Sequence, residues 1–247
     1  MLAGLWRLTW VEIKVFLREP LGALGTIVMP VAIFVLLGRS FGKVADKPRM
    51  AAFVSVDIPV FAAILISLAS VLSLVTIIAI YREGGILKRL RATPLMPVTI
   101  LTAHVIVKLL LTLVTLTLLI AAGRTWGIGE LETNLASFAL ALVFVTVCIM
   151  SLGFLIASLV PTARFAQPLG SILLYPMLAI SGLFFPIERL PTGWQWLAQA
   201  LPLTHAVSLL RGIWTGEGWL ANWPSVAALA LFFVICTALS QRVFRWE

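Results

Sequence analysis

The chain has 247 residues, 61% of them hydrophobic and only 11% charged, with a mean hydropathy of +1.09. A soluble domain carries roughly twice that charged fraction, so the composition excludes one and bounds the chain to about one integral membrane domain. The formal net charge of +8 does not imply nucleic-acid binding, because the basic residues lie in loops between apolar runs, where they set orientation in a membrane.

In chain order, residues 2–19 come first. Trp6, Trp10 and Phe16 alternate there with Arg7, Lys14 and Arg18, which predicts an amphipathic helix lying in the membrane interface. No secretory signal peptide is expected, since charges precede the first apolar run and no small-residue cleavage site comes after it. A spanning helix needs about 20 mostly apolar residues. Six stretches meet or approach that length: residues 21–37, 59–80, 98–122, 135–160, 168–185 and 224–240. Several begin with proline, which suits a first helical turn. Residues 186–223 hold apolar patches too short to span, punctuated by Pro191, Pro202 and Gly212, and are expected to form short re-entrant or surface helices. The fold class is therefore all-α, one membrane domain over residues 1–247. Cys148 and Cys236 fall inside apolar runs and read as packing residues.

Charge orients the bundle. One side collects Arg7, Lys14, Arg18, Arg82, Lys88, Arg89, Arg91, Arg164, Arg242 and Arg245; the other collects the smaller set Arg39, Lys43, Lys47, Arg49, Arg124, Arg189 and Arg211. The excess places both termini in the cytoplasm. Trp126, Trp194, Trp196, Trp214, Trp219 and Trp223 then all belong to the outer interface.

The sequence holds no zinc helix, no nucleophile elbow and no paired carboxylates within a span. The nearest approach to a phosphate loop, Gly38 to Lys43, has the wrong spacing and ends in Val44 where a hydroxyl is needed. No catalytic, metal or cofactor site is therefore expected on this chain. His104 and Lys108 are ionisable residues inside a span, four apart, with Thr112 and Thr115 continuing their face. Two readings are open: Lys108 reaches the cytoplasmic interface or pairs with Glu83, or His104, Lys108 and Thr112 line a transport path. Ser67, Ser70, Ser73 and Thr76 form a second polar stripe, read chiefly as helix packing. Pro168, Gly170, Pro176, Ser181 and Gly182 would bend or interrupt the fifth span, making Ser181 and Gly182 further path-lining candidates.

The charged island from Tyr81 to Pro94 stands out. Gly84 and Gly85 break the preceding helix, and Pro94 closes the island at its other end. Between them residues 85–92 make a short amphipathic helix, with Ile86, Leu87 and Leu90 on one side and Lys88, Arg89 and Arg91 around the rest. Such a helix is too short to cross a bilayer but suited to docking in a groove. The alternative is a basic topology anchor near anionic headgroups.

The stretch Arg82-Glu83-Gly84-Gly85-Ile86-Leu87-Lys88-Arg89-Leu90-Arg91-Ala92-Thr93-Pro94-Leu95 resembles the first cytoplasmic loop of type-2 ABC exporter permeases, particularly the daunorubicin-type multidrug branch. A second block, Ser181-Gly182-Leu183-Phe184-Phe185-Pro186-Ile187-Glu188-Arg189-Leu190-Pro191, is similar too, and Leu201 to Ala206 and Leu210-Arg211-Gly212 come after it in order. The resemblance implies a half-transporter of the prokaryotic plasma (inner) membrane. It would pair with a second copy or a homologous permease and bind two cytoplasmic ABC ATPase subunits that supply ATP and magnesium. Residues Glu83, Gly84, Gly85, Ile86, Leu87, Lys88, Arg89, Leu90 and Arg91 would then dock the ATPase as a coupling helix. Residues 186–223 would form outer helices closing an external gate at Phe185, Pro186 and Pro191. The family often has serine, threonine or arginine where this chain has Gly85, and an acid where it has Lys88. The expected substrate is amphipathic or lipid-like, drug-like by the branch resembled; a lipid-linked glycan or polysaccharide is the alternative. A stand-alone secondary transporter or channel, and a lipid-modifying enzyme using His104 or His205, are the rivals. Neither histidine has an evident acidic partner in the sequence.

Overall fold

The computed structural model of the chain describes residues 2–18, 24–42, 57–84, 97–126, 134–160, 162–183 and 186–243. Backbone surrounded by hydrocarbon must satisfy its own hydrogen bonds, and the long apolar runs do so as helices. The described residues contain no strand. They form α1 (Leu2–Arg18), α2 (Met29–Gly42), α3 (Ile58–Glu83), α4 (Pro97–Trp126), α5 (Leu135–Leu159), α6 (Ala163–Ala179), α7 (Thr192–Gln199), α8 (Pro202–Trp214), α9 (Gly218–Ala221) and α10 (Trp223–Val243). A five-residue π-helix, Leu24–Val28, leads into α2, and a 3₁₀ turn, Ile187–Arg189, precedes α7.

Four of these helices, α3, α4, α5 and α10, are long and apolar enough to cross a membrane. The two other expected spans differ from the sequence reading. Over residues 21–37 a single helix is expected; Leu24–Val28 is instead wound as a π-helix and the α-helix runs on through Arg39 to Gly42. Pro30 supplies the cause, because its missing N–H leaves a gap in the i→i−4 ladder just where the winding changes. The fifth expected span, residues 168–185, is shifted toward the N-terminus: α6 starts at Ala163 and stops at Ala179. Arg164 and Gln167, whose polarity suggests a loop, are exposed residues of its first turns. At the other end Ser181 Oγ bonds back to Leu178 O at 2.7 Å and Gly182 takes φ +84°, a left-handed conformation that ends the helix. Pro168, Gly170 and Pro176 lie inside α6 without interrupting it, and of the expected breaks only Ser181 and Gly182 fall at the helix end.

Contacts between helix ends fix the order of the bundle. Ser158 and Ser240 hydroxyls lie 3.0 Å apart, and Arg82 Nη1 donates to Ser158 O at 3.4 Å. The C-terminal ends of α3, α5 and α10 therefore meet at one level, and α4 and α6 return the chain. At the opposite end Arg211 of α8 meets Asp57, just before α3, and Gly182, just after α6.

The core lies where α5 packs between α3 and α10, with α8 against all three. Phe138, Leu142, Val145 and Ile149 of α5 are fully enclosed with Leu74 and Ile78 of α3. A second cluster, Phe34, Ala62, Ile66, Leu119 and Ala122, joins α2, α3 and α4. The Ser67 and Ser70 stripe serves packing. Ser67 Oγ lies 3.0 Å from Thr146 of α5 and Ser70 Oγ lies 3.4 Å from Thr112 of α4. Hydroxyls that also bond back to their own helix (Ser67 to Ala63 O, Ser70 to Ile66 O) let polar groups sit in an apolar bundle without loss. Trp214, expected in the outer aromatic belt, is instead a core residue, 6% exposed and edge-on to Phe138 at 4.8 Å. Trp194, Trp196 and Trp223 are exposed.

Candidate functional site

At the end of the bundle where α3 finishes and α4 begins, three helices share one polar cluster. The amphipathic pattern of α1 leaves Trp6, Trp10 and Lys14 exposed and turns Thr9 and Phe16 inward against α4. Glu12 comes with the inward face. Its Oε1 accepts from the Tyr81 hydroxyl at 3.1 Å and lies 3.2 Å from His104 Nε2. His104 Nε2 is 3.0 Å from the Tyr81 hydroxyl, and the two rings are tilted at 5.4 Å. One turn along α4, the Lys108 ammonium sits over the Phe16 ring at 5.3 Å, a cation–π contact. His104, Lys108, Thr112 and Thr115 are all buried on one face, as their spacing implies. The acidic partner of His104, absent from the neighbouring sequence, arrives from α1. Sequence reasoning misses Glu12 and Tyr81 as site residues; the one signal that could have found them is an acid on the inward side of an interfacial helix.

Tyr81 lies in the last turn of α3, and α4 starts at Pro97. Glu83 and Gly84 are exposed at the end of α3, where the Gly84 N–H caps the helix on Ile80 O at 2.9 Å. Gly85, Ile86, Leu87, Lys88, Arg89, Leu90 and Arg91, and with them the coupling helix expected over residues 85–92, lie outside the described residues.

The opposite end of the bundle holds an open cavity of about 730 Å³. Ser181, Gly182 and Pro186 line it, whereas His104, Lys108 and Thr112 do not. Phe185 is outside the described residues, and Pro191 is exposed just ahead of α7. The cavity is held by the Arg211–Asp57 ion pair at 2.5 Å and by Arg211 Nη2 donating to Gly182 O at 3.4 Å. The residues expected as an outer re-entrant region form the 3₁₀ turn, α7, α8 and α9. Of these, α8 is enclosed along most of its length, and at 13 residues it spans only about 20 Å, too short to cross.

These features define a polytopic helical membrane protein with a polar knot at one end and a polar cavity at the other. The chain belongs to the ABC-2 type transporter family, whose sequence model matches residues 3–214. The membrane domain of that family is a permease component rather than an ATPase. The chain is similar to nodulation protein J of Rhizobium leguminosarum bv. trifolii, with 33% identity over 95 residues, 38% of this chain and 36% of that one. It is similar to nodulation protein J of Rhizobium meliloti (strain 1021), with 27% identity over 119 residues, 48% of this chain and 45% of that one. A longer match, 28% over 187 residues, covers 72% of this chain and 26% of ABC transporter G family member 20 of Dictyostelium discoideum. In each case the match spans less than half the length of the relative.

Proposed function

We propose that this chain is the permease subunit of an ATP-driven exporter, working with a second permease copy and two cytoplasmic ATPase subunits, with both termini in the cytoplasm of a prokaryotic inner membrane. The observation that carries the reading is the Glu12–Tyr81–His104 cluster. It ties the interfacial helix to α3 and α4, the helices on either side of residues 85–92, the segment read as the coupling helix that docks the ATPase. A push on that segment then moves α1, α3 and α4 together rather than bending one helix end. The substrate passes as an amphipathic or lipid-like molecule, with drug-like compounds favoured by the branch resembled. Export of a lipid-linked glycan by the same architecture is the second reading, favoured by the polar outer cavity.

The test is the double variant Leu87→Asp/Leu90→Asp, reconstituted with its ATPase. Membrane insertion should be unchanged, while ATP-dependent export drops to background. Normal export by the double variant, or uphill transport by the purified chain alone, would overturn the reading.

A further inference from the structure

Helix α1 has two faces, and the bundle occupies one of them. Thr9 and Phe16 are buried against α4, and Glu12 is drawn into contact with Tyr81 and His104. Leu5, Leu8 and Ile13 are half-buried. A free interfacial helix sinks its apolar face into the acyl chains. Here protein covers that face, so the side left outward has to be read by itself.

That side is cationic. Arg7, Lys14 and Arg18 are exposed, and with Val11 they recur at spacings of four and three residues, which puts them on one stripe. Trp6 and Trp10, 71% and 52% exposed, flank the stripe, and the Lys14 ammonium lies 5.5 Å from the centre of the Trp10 ring. The one acid of α1 is Glu12, on the other face. Among the described residues no carboxylate pairs with the three cations. Lys14 and Arg18 are one turn apart, a like-charge spacing that disfavours the helix until an anion comes between them.

The depth of α1 says what meets that stripe. Phe16 touches Lys108, which lies six residues, about 9 Å, inside the apolar span Thr102–Thr125. The helix therefore runs beside α4 at the edge of the bilayer, and its outward face borders headgroups rather than open water. Exposed Arg164, at the start of α6, and exposed Arg242, at the end of α10, add positive charge at the same end of the bundle. We propose that the outward face of α1, built from Arg7, Lys14 and Arg18 with Trp6 and Trp10, binds the headgroups of anionic phospholipids. The cations attract the phosphate and donate hydrogen bonds to it, and the indoles sit at headgroup depth beside them. Each such cation contributes about fivefold to binding at an anionic surface. Lipid binding needs no ATPase, so the proposal stands or falls separately from ATP-driven export.

The experiment titrates the purified full chain in detergent micelles with pyrene-labelled phosphatidylglycerol or phosphatidylcholine. Binding is read by energy transfer from tryptophan to pyrene at about 0.15 M salt, where exposed charges are partly screened. Phosphatidylglycerol should bind tighter than phosphatidylcholine by about tenfold to 100-fold, and the preference should shrink as salt rises. Arg7→Gln, Lys14→Gln and Arg18→Gln should each cut the preference about fivefold, and the triple variant should bring it close to unity. All three side chains are exposed, so the variants should melt like wild type. Arg124→Gln, which removes an exposed cation at the opposite end of α4, should leave the preference unchanged within about twofold. Equal binding of the two lipids overturns the proposal. So does a preference indifferent to the triple substitution in protein that melts like wild type, or one lost equally in Arg124→Gln. Loss of ATPase assembly in the triple variant with no change in lipid preference would also overturn it, by making the face a protein contact.

Discussion

The Glu12 cluster gives a quantity that can be measured. Glu12→Ala removes an oxygen that serves both the Tyr81 hydroxyl (3.1 Å) and His104 Nε2 (3.2 Å). Each hydrogen bond to a charged acceptor is worth about 1.5–3 kcal/mol. Two reductions apply: Tyr81 and His104 stay 3.0 Å apart and keep each other, and the Glu12 side chain is 18% exposed, so water replaces part of the loss. The net cost is then about 2–3 kcal/mol. For a chain of this length each kcal/mol moves the unfolding midpoint by about 2–4 °C, so the variant should melt roughly 4–12 °C lower. Thermal unfolding in nanodiscs, monitored by tryptophan fluorescence, reads this directly. Glu12→Gln, whose amide oxygen still accepts, should fall between wild type and Glu12→Ala. Combined with Tyr81→Phe, Glu12→Ala should be non-additive by about 1 kcal/mol, because the two changes remove one shared bond. Additivity within ~0.3 kcal/mol, or an unchanged midpoint for Glu12→Ala, would show that α1 is not fastened here.

Two further expectations test the packing at the other end. Gly212→Ala would drive its Cβ into the Asn222 side chain, which is held by a 2.9 Å bond to Gly218 O, and should cost about 1–3 kcal/mol in the same assay. Trp214→Ala should cost about 3–5 kcal/mol because the indole is enclosed against Phe138, whereas Trp196→Ala, 72% exposed, should stay within about 0.5 kcal/mol in detergent; equal effects would place Trp214 in the interfacial belt after all.

Sequence signals are legible only as far as their range reaches. Apolar run length locates α3, α4, α5 and α10 because a helix that must satisfy its own backbone in lipid is specified residue by residue. Helical spacing places His104, Lys108 and Thr112 on one buried face, and it is a local signal too. Neither signal shows what that face meets. Glu12 and Tyr81 are 69 residues apart, and Asp57 and Arg211 are 154 apart, distances over which no period of 3.6 carries information. The same limit explains Trp214: composition marks it as an interfacial aromatic, and only the placement of α8 inside the bundle makes it core. At α6 polarity misleads, since Arg164 and Gln167 look like loop residues and belong to a helix start.

Both polar assemblies have one element in common. Asp57 precedes α3 and Tyr81 closes it, so this single helix of 26 residues, about 39 Å long, joins the cavity to the cluster beneath it. Apart from the stripe of Ser67, Ser70, Ser73 and Thr76 its middle is apolar, and it packs against α2, α4, α5 and α6. Midway, Ser67–Thr146 and Ser70–Thr112 bind it to α5 and α4 by hydroxyl contacts, and such interhelical bonds in membranes average only about 0.6 kcal/mol. Contacts that weak can be exchanged as the helix tilts, while the charged contacts at its two ends hold. On the docking proposed above, a displacement delivered near Tyr81 would be carried by α3 as a tilt to the Arg211–Asp57 pair at its other end. On that proposal, loosening the middle contacts should alter how easily α3 tilts without uncoupling its ends, whereas loosening either end should separate movement near Tyr81 from movement at the Arg211–Asp57 pair.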